Sequence, residues 1–142
     1  MKITKYQSIA LVLLILNIVY LLLMYSKLPE TMPHHFNIKG EADSFGDKNL
    51  LLIIPVIAAV VYLIMYAAAS SDKYNLPKSI TIETARKSMG QLTVSLQIIF
   101  LLISYASITT GLGDHNPLSG WMVPILLTLI FLPIIGMYLS KK

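Results

Sequence analysis

Cysteine is absent from this sequence, which excludes a disulfide framework, a thiolate zinc site and a cysteine nucleophile. Charge is scarce too. Only 13% of the 142 residues are Asp, Glu, Lys or Arg, against about 25% in ordinary soluble domains, so there is little polar sequence to cover a water-facing surface. Signatures of enzyme chemistry are missing: no GxSxG elbow, no glycine-rich phosphate loop and no HExxH helix. Neither catalysis nor a cofactor is expected. The formal charge of +4 comes from basic residues scattered between apolar runs rather than gathered in a patch, which speaks against a nucleic-acid partner. Glycine/serine linkers, low-complexity tracts and internal repeats are also lacking, and a single domain over residues 1–142 is expected.

What the sequence has in abundance is apolar length: 56% hydrophobic residues and a mean hydropathy of +0.71. Four stretches carry no Asp, Glu, Lys or Arg: Tyr6–Ser26, Asn49–Ser71, Ser88–Gly113 and Asn116–Ser140. Crossing about 30 Å of hydrocarbon takes roughly 20 helical residues, and each stretch is long enough. A charge at the centre of such a helix costs about 2.5–3.5 kcal/mol, and every charged side chain avoids the four centres. Backbone groups in lipid must bond within their own segment. The fold class expected is therefore an all-α membrane protein, with four transmembrane helices near 7–25, 50–70, 90–110 and 120–139 in an antiparallel bundle. The lipid bilayer is its first partner, and assembly into a homo-oligomer is compatible with the sequence. The first span exceeds the usual signal-peptide core and lacks a small-x-small cleavage site, so it is read as a retained anchor.

Lysine and arginine set the expected orientation. Eight lie in the N-terminal segment, the 72–87 loop and the tail; three (Lys27, Lys39, Lys48) lie in the loop after the first span. The positive-inside rule then places both termini in the cytoplasm and the 26–48 loop outside. Tyrosines near the span ends and Trp121 fit interfacial anchoring. Asp47 is placed to cap the second span, and Pro133 is expected to bend the fourth.

Within the spans, Gly90, Thr93, Gln97 and Ser104 fall on one helical face, and Asn17 lies mid-span in the first helix. The favoured reading is a packing stripe, with Gln97 bonding a neighbour such as Asn17. A polar path for a solute is the alternative, weakened because no span contains an ionisable residue of the kind that marks ion routes.

The loop LPETMPHHFNIKGEADSFGDK, Leu28 to Lys48, differs from everything around it. Its prolines favour extended backbone before them, Lys39-Gly40 is a turn signal, and Phe36 and Ile38 alternate. A short hairpin or tight loop on the membrane surface is expected, with Phe36 and Phe45 folding back onto the helix ends.

The series Leu28-Pro29, Met32-Pro33, His35-Phe36, Gly40, Asp43, Gly46 and Lys48, followed by an apolar helix, resembles the bacterial membrane family called domain of unknown function 1648. In that pattern Met32 replaces isoleucine, and the likeness covers about residues 10–70. The same module opens SdpI-type proteins, which protect a producing cell against its own membrane-active peptide and take part in signalling. Residues 88–142 show no feature of the remaining SdpI helices. The resemblance implies a protein of the bacterial cell membrane. It also implies a peptide or membrane-protein partner bound through His35, Phe36, Gly40, Asp43, Gly46 and Lys48. The function expected is recognition, protection or signalling at the cell surface; a small transporter or an accessory subunit is the alternative.

The histidines His34, His35 and His115 all fall on the expected outer side, with Asp43 among the nearby carboxylates. A His/Asp metal site from these four is the weaker reading. A structural role for His35, bonded to a loop carbonyl or to Asp43 with His34 and His115 solvated, is the stronger one, since adjacent histidines on extended backbone point to opposite faces.

Overall fold

A computed structural model of the chain describes residues 4–71, 77–114 and 120–140. The elements run α1 (Lys5–Tyr25), β1 (Thr31–Phe36), β2 (Ala42–Asp47), a 3-10 turn over Lys48–Leu52, α2 (Ile53–Ser70), α3 (Ile82–Gly111) and α4 (Met122–Leu139). All four helices are long and apolar enough to cross a membrane, and the chain is built as a multi-pass membrane protein. Leu23 is 69% exposed and Leu132 65%, exposures that suit lipid as the surrounding solvent.

Two helix starts reflect local capping. Thr4 and Gln7 form a capping box at α1: the Gln7 N–H donates to Thr4 Oγ1 and the Thr4 N–H to Gln7 Oε1. Thr81 accepts from the Thr84 N–H at 3.1 Å, and α3 starts eight residues ahead of the expected span at 90. The charged turn Glu83–Lys87 is good helix sequence outside the apolar region, and hydropathy alone is blind to it. Asp47 does cap the second span, accepting from the Asn49 N–H at 2.7 Å, although it caps the 3-10 turn that leads into α2.

Side-chain contacts fix the helix directions. Tyr6 of α1 packs on Gly90 of α3, near the starts of both helices. Tyr62 Oη donates to the Gln7 carbonyl, and Tyr25 Oη donates to Asn49 Oδ1 at the opposite end. Thus α1 and α3 run parallel and α2 runs antiparallel to both. Along α1 the buried residues are Gln7, Ala10, Leu14, Asn17 and Leu21, alternately three and four apart, a single seam for close helix packing.

The four expected helices are present, but they do not contribute equally to the packing. α3 is the hub for the other three, while α4 packs on α3 with no substantial contact to α1 or α2. The reason lies in the side chains: α3 turns Gly90, Thr93, Ser104 and Ser107 inward, and such small residues let backbones approach. On α4 only Pro133 is buried, and its Gly136 faces open space.

The polar stripe lies where periodicity put it, with Thr93, Gln97 and Ser104 fully buried. Its partner differs from expectation. Gln97 Nε2 donates to the Ala58 carbonyl of α2 at 3.0 Å instead of to Asn17, and neither polar atom of the buried Asn17 amide has a hydrogen-bond partner among the described residues.

Candidate functional site

β1 and β2 form an antiparallel hairpin at the end of the bundle where α1 finishes, α2 begins and α3 finishes. Pro33 has no N–H for the ladder, and the register slips immediately after it, between Pro33 and His35 and again before Phe36. The turn is locked by Asn37, whose Oδ1 accepts from the Lys39 N–H at 2.8 Å and the Glu41 N–H at 3.1 Å. Gly40 there has φ +78°, a backbone region that glycine enters without steric cost.

The two adjacent histidines do separate work. His35 Nδ1 pairs with Asp43 Oδ1 across the hairpin, the role expected for it. His34 is exposed, as expected, and also has its Nε2 3.2 Å from Ser44 Oγ and its ring packed on Gly46, where an added Cβ would lie 2.9 Å from the ring. At the base, the Lys48 N–H donates to the Glu30 carbonyl at 2.9 Å, Lys48 Nζ donates to Glu30 Oε1 at 2.8 Å, and the ammonium sits 5.4 Å from the Tyr25 ring centroid.

What fastens the hairpin to the helices was not legible from alternation. Phe45 does not fold back; it is 57% exposed, and Phe36 is only half-buried. Leu28 and Met32 instead enter an apolar cluster with Leu21, Leu51 and Ile108. Met32 rests on Gly111, the last residue of α3, at a place where any Cβ would overlap its thioether. In β1 the buried residues are the adjacent Met32 and Pro33, with Thr31 before them and His34 and His35 after them exposed. The one signal in the sequence was the pair of X-Pro steps, which fix the backbone at Leu28 and Met32. A further tie joins the two loops at this end, since the Gly120 N–H donates to the Lys39 carbonyl at 3.1 Å.

Residues 12–59 match the family described as Domain of unknown function (DUF1648). The chain is also 30% identical over 143 residues to an uncharacterised protein of Archaeoglobus fulgidus, an alignment covering 85% of this chain and 78% of that relative. The chain belongs to the DUF1648 family. No solved structure matches it.

The segment matched by DUF1648 is one docking unit: most of α1, the hairpin, the 3-10 turn and the first turns of α2. Most motif positions have a structural task in it. Leu28, Met32 and Pro33 are buried, His35 and Asp43 brace the strands, Gly40 makes the turn, Gly46 admits the His34 ring and Lys48 closes the base. Among the described residues no three His, Asp or Glu side chains gather to hold a metal ion, and His115 of the metal alternative lies outside them.

The hairpin leaves one side open. β1 lies against α3 and the 3-10 turn, whereas β2 pairs with β1 and has no substantial helix contact. Ile38 at the tip is 83% exposed. A rigid, partly apolar strand edge suits an added extended segment, with main-chain bonds giving affinity and the neighbouring side chains selectivity.

Proposed function

We propose that this DUF1648 protein is a surface recognition protein of the cell membrane, whose docked hairpin engages a membrane-active peptide in extended form. One observation carries the reading: the motif is spent on holding the hairpin rigid, while the β2 edge, Ile38 and Phe45 stay open. The likeness to the opening module of SdpI-type proteins supports protection against such a peptide. The ligand acts through the hairpin, with His35, Phe36, Gly40, Asp43, Gly46 and Lys48 shaping the surface it meets.

In this reading the hairpin faces away from the cytoplasm and both termini face in. Support comes from the arrangement of charge: the starts of α1 and α3, beside which most basic residues cluster, lie at the bundle end opposite the hairpin. The cysteine-free chain allows a direct check. A cysteine placed by Lys39→Cys is expected to react in intact cells with a membrane-impermeant maleimide, and one placed by Ser79→Cys only after lysis; the reverse pattern refutes the orientation.

Protection is tested by survival of cells with and without the protein when challenged with membrane-active peptides. Expression is expected to raise survival, and His35→Ala or Asp43→Ala to abolish the gain at unchanged membrane abundance. The pair is exposed, with side chains 66% and 42% accessible, and such pairs contribute about 0–1 kcal/mol. Loss of function would therefore reflect hairpin shape rather than unfolding. Full protection by both variants rules out a motif-centred site.

The buried Asn17 amide and Gln97 Oε1, without hydrogen-bond partners among the described residues, favour a second reading, a small transporter or accessory subunit. It requires altered solute uptake on Asn17→Leu with peptide survival unchanged.

A further inference from the structure

At the bundle end opposite the hairpin, the seam between the start of α3 and the end of α4 is open. A cavity of about 690 Å³ there is lined by Lys78, Ser79, Thr81, Lys87, Gln91 and Ser140, with Glu83 as the one carboxylate on its wall among the described residues. One turn deeper, a narrower cavity of about 100 Å³ runs between Met89 and Leu92 of α3 and Pro133, Ile134 and Met137 of α4. Ser88 lines both, so the polar chamber and the apolar one adjoin at this residue. Neither Lys78 nor Lys87 forms an ion pair with a described residue. Lys5 borders an adjoining cavity at the same end, together with Lys87 and Glu83.

We propose that this seam binds one anionic glycerophospholipid, with its phosphate at Lys78, Lys87 and the neighbouring hydroxyls and an acyl chain along Met89, Leu92, Pro133 and Met137. The order of chemistry along the seam is that of the lipid: cationic and hydroxylic at the membrane edge, apolar toward the centre. The site also accounts for Gly136. An added Cβ there meets nothing within 4 Å, so the glycine leaves open a space that a side chain would fill. Bound lipid supplies α4 with the contact that α1 and α2 do not give it. The site lies away from the hairpin, so it stands independently of the peptide-binding reading.

The test is native mass spectrometry of the full chain released from detergent micelles containing equal amounts of dioleoyl phosphatidylglycerol and dioleoyl phosphatidylcholine. One phosphatidylglycerol is expected to remain bound in preference to phosphatidylcholine. A basic residue near anionic lipid contributes about 1 kcal/mol, so Lys78→Gln with Lys87→Gln should weaken phosphatidylglycerol binding about thirtyfold. Gly136→Leu, which leaves every charge in place, should reduce retention of the lipid by filling the seam. Soluble glycerol phosphate at the same concentration should fail to displace it, because it lacks the chain. Equal retention of the two lipids, unchanged binding in folded Gly136→Leu protein, or displacement by glycerol phosphate overturns the proposal.

Discussion

Gly90→Leu is expected to part α1 from α3 and give the largest loss of bundle stability of any single replacement outside the hairpin. The glycine is buried where the two helices approach, and an ideal Cβ at this position lies 2.9 Å from Tyr6 Cβ. That atom belongs to the root of a side chain, fixed to the α1 backbone, so it cannot swing aside; the helix must move. Overpacking of this sort costs about 1–3 kcal/mol for modest additions. Gly90→Ala should fall in that range and Gly90→Leu above it, read as lowered resistance to denaturing detergent. Tyr6→Ala tests the mechanism, because it removes the ring but keeps the Cβ. It should therefore restore only part of what Gly90→Ala loses. A Gly90→Leu protein as resistant as the parent would mean that the helices do not meet there.

The second large effect is expected at Met32. Its side chain is 1% exposed, in a cluster with Leu21, Leu28, Leu51 and Ile108. Removing a buried methionine costs about 2–5 kcal/mol. In the hydrocarbon centre such a loss is blunted, since lipid tails are as apolar as leucine. Met32 sits instead where the hairpin meets the helix ends, and its alternative environment is interfacial water. The full cost should fall on hairpin docking. Met32→Ala is thus expected to open the hairpin while leaving the four helices inserted, with trypsin cleavage after Lys39 rising at least about thirtyfold, the equivalent of ~2 kcal/mol. Phe45→Ala is the contrasting control: at 57% exposure it should change cleavage little, within about ±0.5 kcal/mol. Gly111→Ala should act in the direction of Met32→Ala but less strongly, because the atoms it displaces are the flexible end of the thioether. Equal cleavage of Met32→Ala and parent protein would show that the hairpin is not held by this cluster.

Both effects arise at residues whose roles here are not marked by any local pattern. Gly90 was visible as a member of a stripe, yet its contact with Tyr6 depends on α1 and α3 running side by side in parallel. Met32 looked like a mild departure from the family pattern, and it is the plug. Phe36 and Phe45 are the larger side chains, but the alternation of β2 puts Phe45 on its exposed face with Asp43 and Asp47. Asn17 and Gln97 were both recognised as buried polar groups. That Gln97 would find the Ala58 carbonyl, leaving the Asn17 amide without a partner among the described residues, depends on how far α2 is rotated and shifted against its neighbours.

The spans, the absence of charge from their centres, the hairpin turn at Gly40, the Asp47 cap and the His35–Asp43 brace were legible because each rests on local chemistry. Insertion cost is summed within one segment, and a turn or cap is made by residues a few positions apart. Which helices touch is a different kind of quantity. Inside the bilayer an apolar face gains almost nothing by choosing protein over lipid, so hydropathy is silent about neighbours, and small differences of shape decide them. Only the folded arrangement makes α3 the hub, leaves α4 at the side with an open seam, and seats a methionine where a glycine ends a helix thirty residues long.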